Sequence, residues 1–172
     1  MNEQKIYHTF FDSPVGRLVL TSDGEHLIGL DTGGHGGAVA VPRRGSVEND
    51  DVAPFALAKR ELEKYFAGEL REFTVPLKPA GTEFQQTVWN ELRKIPYGQT
   101  ITYGEQARRL GNANASRAVG LANGRNPIGI IVPCHRVIGS NGKLTGYAGG
   151  LDRKDYLLSM ERKAALMAVV TA

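Results

Sequence analysis

The 172-residue chain, 41% hydrophobic and +3 in net charge, is long enough to bury a core as one compact domain or two small ones. A single cysteine cannot staple the fold, and with four scattered histidines it offers no zinc spacing; a disulfide scaffold and a metal centre are both excluded, and a reducing, cytoplasmic setting is expected. No apolar run approaches the roughly 18 residues that span a bilayer, and Met1-Asn2-Glu3-Gln4-Lys5 lacks the layout of a secretion signal, so no membrane partner is expected.

Ile6–Phe11, Arg17–Thr21 and His26–Leu30 read as short strands joined by the turns Asp12-Ser13-Pro14-Val15-Gly16 and Asp23-Gly24, which predicts an antiparallel meander. His8 and His26 read as sheet residues rather than ligands. Residues 32–53, rich in Gly, Pro and small side chains, predict a mobile loop with His35 solvated in it. Phe55, Ala58, Leu62, Tyr65 and Phe66 recur at helical spacing, predicting a helix over Pro54–Ala67 that covers the meander and stops at Gly68. Glu72–Leu77 is one more extended segment, and Lys78-Pro79-Ala80-Gly81 reads as a linker, which divides the chain into residues 1–80 and 81–172. The first unit carries nine Lys/Arg against twelve Asp/Glu, the second twelve against six. A basic second unit points to a polyanion, most simply nucleic acid, although a solvated basic surface gives the same count.

The second unit opens on a capping box, Thr82 to Gln85, ahead of a helix to about Lys94 with Phe84, Val88, Trp89 and Leu92 on one side. A second box, Thr102 to Glu105, starts a short helix through Leu110, closed by Gly111. After Asn112–Ala115 a further helix runs from Ser116 to Asn123. Two short helices so joined form either a plain helical hairpin or a helix-turn-helix. Ala118, Gly120, Ala122 and Gly124 leave the second helix smooth, where a major-groove reader would carry long polar side chains. A smooth wall with one forward arginine, Arg117, suits a minor groove or the gap left by a displaced base.

Asn126-Pro127 breaks that helix. The apolar, strand-like Ile128–Val132 then leads to Pro133-Cys134-His135-Arg136. A thiol needs a neighbouring base or cation to become a nucleophile, and His135 and Arg136 are the local candidates; a small buried core cysteine is the competing reading. Val137–Gly139 and Lys143–Tyr147 predict a hairpin around Ser140-Asn141-Gly142, followed by the nearly bare loop Ala148-Gly149-Gly150, which a planar group could approach closely. The last helix, about Leu151–Lys163, packs through Leu151, Leu157, Leu158 and Met160. Glu161 falls at the edge of that face, where its carboxylate could orient His135 in a Cys-His-Glu arrangement.

Pro133-Cys134-His135-Arg136-Val137, Asn126-Pro127, Tyr103, Arg117, Tyr147-Ala148-Gly149-Gly150 and Glu161 together resemble the O6-alkylguanine-DNA alkyltransferases, over a stretch from the Asp12–Gly16 turn to the final helix. The resemblance implies an α/β two-domain fold: a small N-terminal antiparallel sheet plus helix, then a mostly helical C-terminal domain with a winged-helix-like helix-turn-helix that docks in the minor groove. It implies a single-use repair protein without cofactor. A damaged guanine is flipped out of double-stranded DNA and its O6-alkyl group moves to Cys134. In that scheme Glu161 orients His135, which deprotonates Cys134 through a water, and Asn126 fixes the turn that holds the site. Tyr103 donates a proton toward guanine N3 and helps rotate the phosphate, and Arg117 fills the vacated stack beside Ser116, Ala118 and Gly120. Tyr147, Ala148, Gly149 and Val137 line the pocket, with Ala148 standing where the family often has serine. The implied protein is a monomer in solution; cooperativity on DNA, alkyl-group size and O4-alkylthymine remain open. A cysteine hydrolase and a DNA-binding regulator with a structural Cys134 are the other readings; the first lacks an oxyanion-hole motif and the second lacks base-reading side chains.

Overall fold

Tyr7–Ser13 (β1), Gly16–Ser22 (β2) and Leu27–Asp31 (β3) form the predicted antiparallel meander in the computed structural model, which describes residues 3–171 and all of their side chains except that of His35. The expectations for His35 and for Met1-Asn2 therefore lie outside the described residues. Leu18, Leu20 and Leu27 are fully buried beneath the sheet.

Residues 32–53 are not the predicted free loop. After a 3-10 turn at His35–Gly37, Val47–Glu48 (β4) adds to β1 in parallel, giving the order β3-β2-β1-β4. The segment is held by polar contacts, which the apolar content of its sequence could not reveal. Val47 N donates to Ile6 O at 2.9 Å, Ser46 Oγ meets His8 Nδ1 at 2.7 Å, and Asp50 accepts from the Thr9 hydroxyl.

Ala53–Phe66 (α1) buries Phe55, Ala58, Leu62 and Tyr65 completely. Each of the three large side chains contributes about 1.5–3 kcal/mol of transfer free energy. Gly68, at φ +76°, turns the chain out of the helix as expected. On the same helix Glu61 is buried and accepts from Thr74 N at 2.8 Å and Val75 N at 3.1 Å. These bonds bring residues 72–77 alongside β3, where Leu77 makes one bridge to Leu27 rather than a full strand.

The first capping box forms: Gln85 N donates to Thr82 Oγ1 at 3.1 Å and Thr82 N to Gln85 Oε1 at 2.9 Å, opening Glu83–Leu92 (α2). Val88, Trp89 and Leu92 are buried, but Phe84 is 43% exposed because it sits in the first turn, ahead of the packed region. Ile101–Thr102 (β5) leads into Tyr103–Arg109 (α3). Only half of the second box exists. Thr102 Oγ1 accepts from Glu105 N at 3.1 Å, while the Glu105 carboxylate turns to Arg108 and Arg109. After a 3-10 turn at Ala113–Ala115, Ser116–Gly124 (α4) is pinned from two sides. Gln106 and Asn123 exchange amide bonds at 3.1 and 2.8 Å between α3 and α4, and Trp89 Nε1 donates to Ala122 O at 2.8 Å from α2.

Two expectations downstream fail. Ile128–Val132 is a run of turns rather than a strand, with Ile128 alone bridging Leu30. Val137–Ile138 (β6) pairs in parallel with β5 instead of forming a hairpin with Lys143–Tyr147, and Gly139 N to Lys143 O at 3.0 Å closes the intervening loop. A distant strand already aligned ahead of α3 outcompetes the local partner. The last helix, Leu151–Thr171 (α5), runs past the predicted end at Lys163. Its buried residues are Lys154, Leu157, Leu158 and Glu161, a regular i, i+3, i+4, i+7 stripe, whereas Leu151 is 45% exposed. Glu161 is thus inside the packed face, not at its edge. Core residues from both halves, from Leu18 and Phe55 to Trp89, Val119 and Leu157, form one continuous cluster. No described helix is long and apolar enough to cross a membrane.

Candidate active site

The turns that replace the expected strand deliver Cys134. Asn126 starts them: its Oδ1 accepts from Ile128 N at 3.0 Å and its Nδ2 donates to Val132 O at 2.8 Å, so one amide side chain bridges residues two and six positions on. Ile131 N then donates to Gly129 O at 2.8 Å across Ile130, whose φ of +68° makes it the one non-glycine residue in the left-handed region among the described residues. For a β-branched side chain that conformation costs about 1–3 kcal/mol, which the burial of Ile130 (1% exposed) helps to offset. A second three-residue turn follows, with Cys134 N donating to Val132 O at 2.9 Å across Pro133. Cys134 begins a 3-10 turn, Cys134–Arg136, that aims His135 and Arg136 into the core.

There they meet Glu161. His135 Nε2 lies 2.7 Å from Glu161 Oε1; Arg136 donates through Nε at 3.0 Å to Oε2 and through Nη2 at 2.9 Å to Oε1; the Tyr65 hydroxyl donates at 2.7 Å and Gly98 N at 3.3 Å. Burial alone would push the Glu161 carboxyl up, but the hydrogen bonds and charges of His135 and Arg136 hold it well below the usual carboxylate range. An ionised carboxylate only accepts, so the His135 proton sits on Nε2 and Nδ1 carries a lone pair. That Nδ1 is buried without a hydrogen-bond partner among the described residues, and burial, against the pull of Glu161, keeps the imidazole pKa below its ordinary value. His135 is therefore a neutral, oriented base. Arg136, the other local candidate, is committed to Glu161 and, through Nη1 at 2.8 Å, to Ile95 O.

Burial pushes the Cys134 thiol up, opposed by the Asn126 side chain, the charge of Lys154 and nearby backbone N–H groups. The resting pair is then thiol and neutral imidazole, not an ion pair. Lys154 is a residue that sequence reasoning missed. It is fully buried without a carboxylate partner among the described residues, its Nζ donating to Val137 O at 2.6 Å and Thr145 O at 2.8 Å, and burial lowers its pKa to about 8. The signal was its place on the Leu157, Leu158, Glu161 stripe. The same Thr145 carbonyl accepts from the Tyr103 hydroxyl at 3.0 Å, and burial raises the Tyr103 pKa, as does the negative charge Cys134 can carry.

A cavity of about 70 Å³ opens onto Cys134. Asn126, Tyr147, Ala148 and Gly149 line it, as do Asp31, Thr32 and Gly33 from the end of β3 and beyond. Burial raises the Tyr147 pKa well above the usual range. Of the residues nominated for the pocket, Val137 does not reach it; it is fully buried in the core and offers its carbonyl to Lys154. Tyr103 stands outside the cavity, its ring against Gly120 of α4 and its hydroxyl near Gly146. On α4, Arg117, Ala118 and Leu121 are exposed, Ser116 and Gly120 half-buried, and Val119, Ala122 and Asn123 buried, so the solvent face combines the small Ser116, Ala118 and Gly120 with Arg117 and Leu121. Among the described residues no group of three or more His, Cys, Asp or Glu side chains is placed to hold a metal.

Comparison with known proteins is consistent across both halves of the chain. Residues 6–79 match the family model for the 6-O-methylguanine DNA methyltransferase ribonuclease-like domain, and residues 83–163 match that for the DNA binding domain. A methylated-DNA–protein-cysteine methyltransferase of Methanosarcina acetivorans is 56% identical over 156 residues, covering 91% of this chain and 98% of that protein. One from Mycobacterium bovis is 51% identical over 160 residues, covering 93% and 94%. The crystal structure of the Mycobacterium tuberculosis O6-methylguanine methyltransferase superposes with a TM-score of 0.84 at 48% identity, covering 92% of this chain and 94% of that one. A structure of the M. tuberculosis protein in complex with DNA gives 0.83 at 48% identity, with the same coverage.

Proposed function

The chain belongs to the 6-O-methylguanine DNA methyltransferases, and from that premise we propose that Cys134 is the residue that accepts the alkyl group, once and irreversibly. The activity is repair of alkylated DNA by transfer to a protein cysteine. The observation that carries the assignment of the acceptor is the buried His135–Glu161 pair, whose unpartnered Nδ1 belongs to the residue next to Cys134.

The step follows from the groups present. With O6-alkylguanine seated at Cys134, His135 Nδ1 takes the thiol proton through one water as sulfur attacks the alkyl carbon. The S–C bond forms as the C–O6 bond breaks, its electrons pass to the purine, and a proton delivered to the base leaves guanine neutral. Tyr103 supplies that proton toward N3, and the proton taken up by His135 passes through solvent to the Tyr103 phenolate, so both residues return to their neutral forms. Glu161 keeps imidazole in the needed tautomer and stabilises its charged form. Asn126 fixes the turn that carries the sulfur, and Lys154 lies near enough for its charge to favour the developing thiolate. No step regenerates the thiol from the thioether.

The small-residue face of α4, with Ser116, Ala118 and Gly120 around Arg117, docks in the minor groove, and Arg117 replaces the flipped base. In this reading residues 1–80 and 81–172 are the two domains, and the protein works as a monomer in a reducing cytoplasm that keeps Cys134 free.

Intact-protein mass after incubation with a duplex containing O6-methylguanine tests the proposal. One methyl per molecule is expected, on the peptide containing Cys134, and none on Cys134→Ala, which should still bind DNA. Turnover without an adduct, or methylation of Cys134→Ala, would overturn it.

A further inference from the structure

Arg153, one residue before the buried lysine of α5, has no acidic partner among the described residues, yet its Nε and Nη1 together reach three backbone carbonyls. Nε donates to Val15 O at 2.9 Å, and Nη1 donates to Gly34 O at 3.1 Å and to Gly149 O at 2.9 Å. Those carbonyls lie in three separate segments: the β1–β2 turn, the segment after β3, and the loop bearing Gly149. A planar guanidinium with donors in a fixed fork can hold several acceptors at once, which a lysine ammonium does less well.

Two of the tied segments contribute to the lining of the cavity at Cys134, Asp31, Thr32 and Gly33 from one and Tyr147, Ala148 and Gly149 from the other. The walls touch. A Cβ at Gly149 would collide with the Thr32 hydroxyl and come within 2.8 Å of the Tyr147 ring. The first wall is shaped in advance, because Asp31 Oδ1 accepts from Gly33 N at 2.9 Å and Gly33 takes φ +83°, a conformation that favours glycine. With the walls held together the cavity beside Cys134 is small, about 70 Å³.

We propose that the Asp31–Gly34 segment is a wall of the alkyl-acceptor pocket, and that Arg153 is a positioning residue which latches it against the Gly149 loop and so sets the size of alkyl group transferred. The inference rests on the assignment of Cys134 as the acceptor. It makes the N-terminal half a determinant of specificity at a thiol that lies in the C-terminal half. A closed pocket holds a methyl group against the sulfur and excludes larger groups until the walls part.

The test compares single-turnover transfer rates to the full-length protein from duplexes carrying O6-methylguanine and O6-benzylguanine. Wild type, Arg153→Ala, Arg153→Lys and Thr32→Ala are measured. Pocket-size discrimination commonly amounts to ten- to two-hundredfold, so the methyl-to-benzyl rate ratio is expected to fall about tenfold in Arg153→Ala. Arg153→Lys should be intermediate. Thr32→Ala, which thins the wall and leaves the latch in place, should shift the ratio the same way even if Arg153→Ala does not fold. An unchanged ratio in Arg153→Lys and Thr32→Ala, whatever the loss in absolute rate, would overturn the latch. Failure of wild type to take up methyl at Cys134 would instead overturn the acceptor assignment beneath it.

Discussion

Replacing Glu161 with glutamine changes a single atom's chemistry at the most connected point of the site. The carboxylate accepts from His135, Arg136, Tyr65 and Gly98, and among the described residues the chain's other half reaches it only through Tyr65 of α1. Glutamine keeps the shape but offers one acceptor oxygen and an amide that donates, so it cannot satisfy both the Arg136 fork and the imidazole. Breaking a buried ion pair by neutralising one partner costs about 3–5 kcal/mol. For a protein of this size that lowers Tm by on the order of 10 °C. The chemical effect is separable. Without the carboxylate, imidazole loses both the tautomer preference and the stabilisation of its charged form, and general-base catalysis is worth about 10²–10⁴-fold. Glu161→Gln, assayed below its Tm by single-turnover mass spectrometry across pH 5–9, should therefore transfer about a hundredfold more slowly at neutral pH. Its rate should climb with pH toward direct ionisation of the thiol, where wild type has already levelled off. A folded Glu161→Gln protein with the wild-type rate and pH profile would remove the Cys-His-Glu arrangement from the mechanism, and Tm alone, however lowered, would not restore it.

Two further outcomes follow from the geometry. Arg117 is exposed on α4, so Arg117→Ala should weaken DNA binding about tenfold and lower the salt dependence, while the reactivity of Cys134 toward free O6-benzylguanine stays unchanged; parallel loss of both would refute the base-replacement role. Lys154, at a folded pKa of about 8 against about 10.4 unfolded, binds fewer protons when folded between those values, so folding stability should rise with pH across that window. Below pH 8 the penalty is fully in force. In a Cys134→Ala background, which removes the coupled thiol, urea unfolding should find wild-type Lys154 gaining up to about 3 kcal/mol relative to Lys154→Met between pH 8 and pH 10.5; a constant difference would refute the buried charge.

What could be read without coordinates was what residues decide locally. The Thr82 cap, the meander turns and the stop at Gly68 depend on neighbours a few positions away, and all form. Contacts set by distant partners were illegible. Nothing near Lys143 announces that β6 will choose Ile101–Thr102, and nothing near Ser46 or Asp50 announces that they will bond to β1. At the site, the motif around Cys134 marked the nucleophile and the period of α5 brought Glu161 toward it. The period was also sufficient to find Lys154, since positions 154, 157, 158 and 161 form one stripe, but charged side chains inside a stripe read naturally as its edges. Tyr65 and Gly98, which complete the shell of Glu161, lie 96 and 63 residues from it. Ile128–Val132 misled for a different reason. Its apolar composition matches a strand, and the Asn126 side chain together with short-range backbone bonds folds it into turns.

The indole of Trp89 donates its N–H to Ala122 on α4, and it is the chain's single tryptophan. Its fluorescence therefore comes from one buried position that touches the helix assigned to DNA docking. The molecule carries its own optical gauge: any adjustment of α4 as it seats against a duplex changes the polarity and hydrogen bonding felt by that one fluorophore, and the engagement step can be timed by stopped flow without a label, apart from the slower chemistry at Cys134.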